Sequence, residues 1–170
     1  MTSIRMAEHG ALERKISKWL ESDRFTIEKQ PNEEMVDFSL TVVNAFGLQI
    51  NVGIMKLKQF DRIRVSTNII FPDDIQVAFK KANPTTLDQQ KVIQGLHREL
   101  LKFGIDHSVK LDLSEISLFK EGYTENLTRS KLMDMIKEIR NVLLYLRSVF
   151  SEKFGNISES KPSTEFKMYS

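Results

Sequence analysis

Three histidines, His9, His97 and His107, are the first residues to weigh for chemistry in this chain. A zinc or related site would want them at H-x-x-x-H or H-E-x-x-H spacing, which presents two imidazoles on one helical face. None of the three has such a neighbour. There is no cysteine, which removes thiolate metal sites, disulfides and thiol nucleophiles together. A serine nucleophile needs a base and an orienting group, and its usual G-x-S-x-G turn is absent. Neither G-x-x-x-x-G-K-[ST] nor G-x-G-x-x-G occurs, and the 7 glycines are spread thinly, so no phosphate cradle is encoded. Asp73 and Asp74 fit the start of a helix better than a cation site, because carboxylates favour helix N-termini. These absences predict no cofactor, no metal and no catalytic residue. An enzyme without a recognisable motif would have to draw on scattered polar residues such as Asp106, His107 and Tyr123.

The densest positive charge is Lys56, Lys58, Arg62 and Arg64, around a hairpin whose tip carries Phe60. Basic side chains beside an aromatic ring are what a nucleic-acid contact uses. Strand parity allows all four on a solvent face. The formal net charge is only +2, from 25 basic and 23 acidic residues, so the long-range pull on a polyanion is weak. A solubilising wet face is the simpler account, and a nucleic-acid module is kept as the alternative.

These side chains are positioned by a regular series of elements. Leu12, Ile16, Trp19 and Leu20 recur on one face of a helix over 7–22. A short extended stretch follows at Phe25–Lys29. Val36, Phe38, Leu40 and Val42 alternate with polar residues, as do Leu48 to Ile54 and Ile63 to Ile69. Three strands joined this closely form an antiparallel meander. A short helix capped by Asp73 or Asp74 runs to about Ala82. Asn83 as N-cap and Pro84 at the first helical position start another, with Ile93, Leu96, Leu100 and Phe103 as its buried stripe and Gly104 as its stop. Ile105 to Leu113 alternate as a fourth main strand, and Ile116 and Leu118 mark a fifth.

The last helix is the most strongly marked. Thr128 is its N-cap, and Leu127 can staple onto Leu132. Leu132, Ile136, Ile139, Leu143, Leu146 and Phe150 then step by heptad-like intervals. Met133, Met135, Val142, Leu144, Tyr145 and Val149 widen the apolar surface beyond one stripe. Part of it therefore has material for the chain's own sheet and part for another subunit. Ile136, Ile139, Leu143, Leu146 and Phe150 are the expected dimer or partner surface. Gly155 ends the helix.

The expected fold is α+β: an antiparallel sheet of about five strands in α-β-β-β-α-β-β-α order, helices packed on one face, and a long C-terminal helix. Residues 1–155 make a single domain, and 156–170, rich in Ser with Lys and Glu, a flexible tail. No stretch approaches the roughly 20 apolar residues of a membrane span, and the N-terminus lacks a signal-like apolar core. The absence of cysteine suits a reducing compartment, so the expected location is cytoplasmic.

This order of elements, over about residues 7 to 152, is similar to the fold of type III secretion chaperones. It also resembles a family of small uncharacterised archaeal proteins ascribed that fold. The local stretch that suggests it is Ile116-Ser117-Leu118-Phe119-Lys120-Glu121-Gly122-Tyr123-Thr124, opening into the Thr128-capped helix. The resemblance implies a homodimer with an extended partner segment wrapped around apolar patches, and it carries over no residue-level motif. Such chaperones tend to be acidic, whereas this chain is slightly basic. The combined expectation is a non-catalytic, homodimeric protein- or peptide-binding module of chaperone-like type, with no membrane partner and with a nucleic-acid module or an enzyme without a recognisable motif as the alternatives.

Overall fold

The computed structural model describes residues 2–31, 34–47 and 50–154. In them the order is α1 (Thr2–Ser22), β1 (Thr26–Lys29), β2 (Val36–Val43), β3 (Val52–Leu57), β4 (Arg62–Ile70), α2 (Asp73–Ala82), α3 (Thr86–Lys102), β5 (Asp106–Val109), β6 (Glu115–Tyr123) and α4 (Arg129–Phe154). The strands form a six-stranded sheet in the order β1-β2-β3-β4-β6-β5. The β1–β2, β2–β3 and β5–β6 pairs are antiparallel. The four-residue link between β3 and β4 leaves no room for a crossover. At β4 and β6, Thr124 N–H donates to Asp61 O while Phe71 N–H donates to Ser114 O, so these strands also run opposite ways. The sheet thus has one strand more than the five expected. The extra one is β1, which the Phe25–Lys29 stretch supplies as a full edge strand. Leu48, Gly155 and the tail from Asn156 lie outside the described residues.

The chain divides into two compact units. The first holds the residues up to Val65 together with Glu121–Met135. Here α1 packs on β1 and β2, with Ile16 and Leu20 fully buried and Trp19 half-buried under the Lys15 ammonium. The helix ends in a Schellman motif. Phe25 N–H donates to Leu20 O and Arg24 N–H to Glu21 O, with Arg24 in the left-handed region at φ 62. The apolar parity of β2, Phe38, Leu40 and Val42, sits opposite Lys56, Ile54 and Val52 of β3. A bulge between Val36 and Phe38 inserts Asp37 into this ladder.

The second unit holds Ser66–Lys120 and the helix from Ile136 onward. Asp73 and Asp74 occupy the first turn of α2, but the N-cap is Pro72, which has no side chain to accept a bond. The cap of α3 falls at Thr85, not Asn83. Its Oγ1 accepts from Asp88 N–H at 3.1 Å, and its hydroxyl donates to the Asp88 carboxylate. The Thr85 hydroxyl thus satisfies the orphan Asp88 N–H and ties down the Asp88 carboxylate, and the start moves two residues on from the expected one. The helix does stop at Gly104, at φ 63. The strand expected over Ile105–Leu113 is only Asp106–Val109, because Leu113 adopts φ 54 in a turn closed by its N–H on Lys110 O. In the first unit, Thr128 caps α4 as expected, accepting from Lys131 N–H at 3.2 Å. In the core of the second unit the rings of Phe71 and Phe150 meet at a tilt, 4.6 Å between centroids.

Candidate functional site

The basic residues around the β3–β4 hairpin do not share one face. Lys56 lies on the core parity of β3, beside Ile54 and opposite Phe38. Its side chain is 6% exposed, and its Nζ is 2.6 Å from Asp37 Oδ2, which the β2 bulge brings to it. The expectation that Lys56 points to solvent is therefore corrected, since it continues the Val52, Ile54 register inward. Lys58 is exposed and donates to Glu34 O. Arg62 and Arg64 both reach Glu121 on β6, at 3.2 and 2.6 Å. The Arg62 guanidinium also lies 4.9 Å from the Tyr123 ring centroid and donates to the Tyr123 hydroxyl. Burial alone pushes the Glu121 carboxyl up, but the hydrogen bonds and charges of Arg64 and Arg62 outweigh it and hold it below its usual range. Three of the four cations thus face carboxylates on their own chain.

The apolar seam of α4 is corrected in the same way. Ile136, Ile139, Leu143, Leu146 and Phe150 are all buried within the single chain, Ile139 completely. A seam of this spacing suits a partner helix and a protein's own sheet equally well, and here the chain itself covers it. Of the wider apolar set on α4, Leu144 remains exposed, and Tyr145 is half-buried against Phe103 at 5.0 Å.

Of the scattered polar residues, Asp106 is exposed on β5 and Tyr123 is engaged by Arg62. The structure does unite two histidines that are ten residues apart. His107 Nε2 lies 2.9 Å from His97 Nδ1, and His107 Nδ1 lies 3.1 Å from Ile105 O. A carbonyl only accepts, so His107 carries its proton on Nδ1 and its Nε2 accepts from His97 Nδ1–H. Burial, and then the neighbouring imidazole, lower the basicity of His97. Sequence spacing missed this pair because Gly104 reverses the chain between helix and strand. Among the described residues no group of three or more His, Cys, Asp and Glu side chains is placed to hold a metal ion.

The sheet has two edges, β1 and β5. On β5, Lys110 N–H bonds to Glu115 O in the same register as the Asp106–Phe119 and Ser108–Ser117 pairs. Bonded residues alternate along an antiparallel ladder, so the backbone groups of His107 and Val109 face away from β6. Large apolar side chains bracket this strand in sequence: Leu101 at 67% exposure and Phe103 before it, Leu111 at 58% after it. The β1 edge differs. Lys29 is tied to Glu13 of α1 at 2.7 Å, and a charged side chain of this kind protects an edge. No helix among the described residues is long and apolar enough to cross a membrane.

Comparison with known proteins places these features in a family. The chain belongs to the family described as uncharacterized conserved protein (DUF2299), whose model matches residues 12–150. No curated protein matches the sequence. Two solved structures share the fold. One is an uncharacterized protein from Methanothermobacter thermautotrophicus, at a TM-score of 0.75 and 18% identity, covering 85% of this chain and 99% of that one. The other is in the ExsC-ExsE complex, at a TM-score of 0.52 and 11% identity, covering 81% of this chain and 94% of that one. Both structures thus share the fold that the element order suggested.

Proposed function

We propose that this member of the DUF2299 family is a non-catalytic, homodimeric module that binds an extended segment of a partner protein along the open edge of β5. The observation that carries the reading is that edge. His107 and Val109 direct backbone donors and acceptors outward, and exposed Leu101, Phe103 and Leu111 stand at the two ends of the strand. An added strand would gain main-chain bonds from the first and apolar anchoring from the second. The likeness to a chain solved in a two-protein complex supports a protein partner. The internal pairing of Lys56, Arg62 and Arg64 weighs against a polyanion. For the dimer, the exposed Val77 of α2, Leu87 of α3 and Leu144 of α4 are apolar material on the helices, since the α4 seam is used internally.

The test is selection from a random peptide library against the full chain. Peptides with alternating apolar residues should be enriched. Val109→Pro removes an outward N–H without taking a bond from the β6 ladder and should abolish their binding. Ile27→Pro, its counterpart on the β1 edge, should not. The opposite pattern would move the site to β1, and no enriched peptide would end the reading. Light scattering at micromolar concentration reads the dimer, and a mass of one chain would remove that part.

A further inference from the structure

The geometry points to a metal-binding role for His97 and His107: together they form a two-imidazole anchor for a zinc, nickel or copper(II) ion, which would clasp edge strand β5 to α3. The two facing nitrogens, Nδ1 of His97 and Nε2 of His107, are 2.9 Å apart. Two imidazole nitrogens at about 2.0–2.1 Å from one ion lie about 2.9 Å apart in adjacent square-planar positions and roughly 3.3 Å apart in a tetrahedron. In the present hydrogen bond the two ring nitrogens point at each other, so the His97 ring must swing aside before both lone pairs meet at one ion. His107 already has the outer support that ligating histidines use. Its Nδ1–H is held by the Ile105 carbonyl, which fixes the tautomer and leaves the Nε2 lone pair facing His97.

For His97 to ligate through Nδ1, its proton moves to Nε2. This change of tautomer leaves the imidazole neutral and releases no net proton. Both rings are half-buried and belong to elements that pack on each other, α3 and β5. No third His, Asp or Glu joins them among the described residues, so water fills the remaining positions and binding is reversible. Borderline ions with a preference for imidazole suit such a site, whereas calcium and magnesium, which want oxygen ligands, do not. An ion here would stiffen the strand whose outer edge is proposed to receive a partner, but metal binding stands or falls without that partner.

The experiment is calorimetric titration of the tag-free full chain with ZnCl2, NiCl2 and CuCl2 at pH 7.5, with MgCl2 as control. One equivalent per chain is expected for at least one of the three transition ions, with a rise in melting temperature and no heat from magnesium. His107→Ala should abolish that binding. So should His97→Gln, whose side-chain amide can still donate to His107 Nε2 and thus keeps the fold. Proton NMR of the unsubstituted chain gives a second readout, in which the ring signals of His97 and His107, and not that of His9, shift or broaden with metal. Binding that survives both substitutions, ring signals that stay in place, or no heat from any transition ion would overturn the assignment and leave the pair as hydrogen-bonded neutral histidines.

Discussion

Lys56 Nζ sits 2.6 Å from Asp37 Oδ2 on the core face of the sheet, with both side chains at least nine-tenths out of water. The pair exists because two local facts coincide: the β2 bulge at Asp37 and a lysine on the apolar parity of β3. Taking two ions out of water costs several kcal/mol each, which their attraction must offset. The pair is thus a point of register and charge matching more than a source of net stability.

Single substitution should therefore be costly and double substitution much less so. Lys56→Met takes the ammonium away from the buried Asp37 carboxylate, and the expected loss is about 3–5 kcal/mol. Adding Asp37→Asn should recover a large part of it. Urea unfolding of the two single variants and the double variant measures the coupling. Additive losses below about 1 kcal/mol each, the range of an exposed ion pair, would show that the pair is solvated in solution.

The α4 seam is tested by contrasting two positions. Ile139 is fully buried inside the chain and Leu144 is exposed. Ile139→Ala should destabilise the fold by about 2–5 kcal/mol, and Ile139→Asp should prevent folding, seen as lost helical circular dichroism. Leu144→Asp should keep the spectrum and, where Leu144 serves the dimer, lower the mass by light scattering. A folded monomer from Ile139→Asp would return the seam to the subunit interface.

These cases show what the chain discloses in advance. Periodicity located α4, its Thr128 cap and the meander, because those signals are local and redundant. It did not say what covers the Ile136–Phe150 stripe, since an apolar face carries no record of whether its cover is the same chain or another. Lys56 departs from the expected solvent face because β3 runs on to Leu57 and carries it on the inward parity of Val52 and Ile54. The His97–His107 pair depends on a reversal at Gly104 and on a ring orientation, neither of which spacing encodes. β1 has too short an alternation to stand out from a loop.

Arg24 offers a prediction of opposite sign. It holds φ 62 at the C-terminal turn of α1, the position that glycine normally takes in a Schellman motif. A residue with Cβ loses about 1–2 kcal/mol there. Arg24→Gly should relieve that strain, while the more flexible unfolded chain returns some of the gain. The net expectation is a stabilisation of about 0.5–1 kcal/mol in urea unfolding. A loss of stability would mean that the Arg24 side chain makes a compensating contact.

Glu121 sets a pH dependence. Its carboxyl is held below the usual range because Arg64 and Arg62 together outweigh the cost of burial. A depressed carboxylate binds protons less readily in the folded chain than in the unfolded one. Its contribution is therefore fully present above the unfolded value and is lost as pH falls through the folded value, from about pH 5 downward. Glu121→Gln cannot make that contribution at any pH. The stability gap between wild type and Glu121→Gln should be open at pH 7 and close in acid. It should also narrow in 1 M salt, where the screening length falls to about 3 Å, since both arginines are partly exposed. The Arg62 ring contact with Tyr123 survives in the variant, so the comparison isolates the carboxylate. Unfolding curves at three pH values and two salt concentrations decide it, and a gap of constant size across pH would place Glu121 outside the ion cluster.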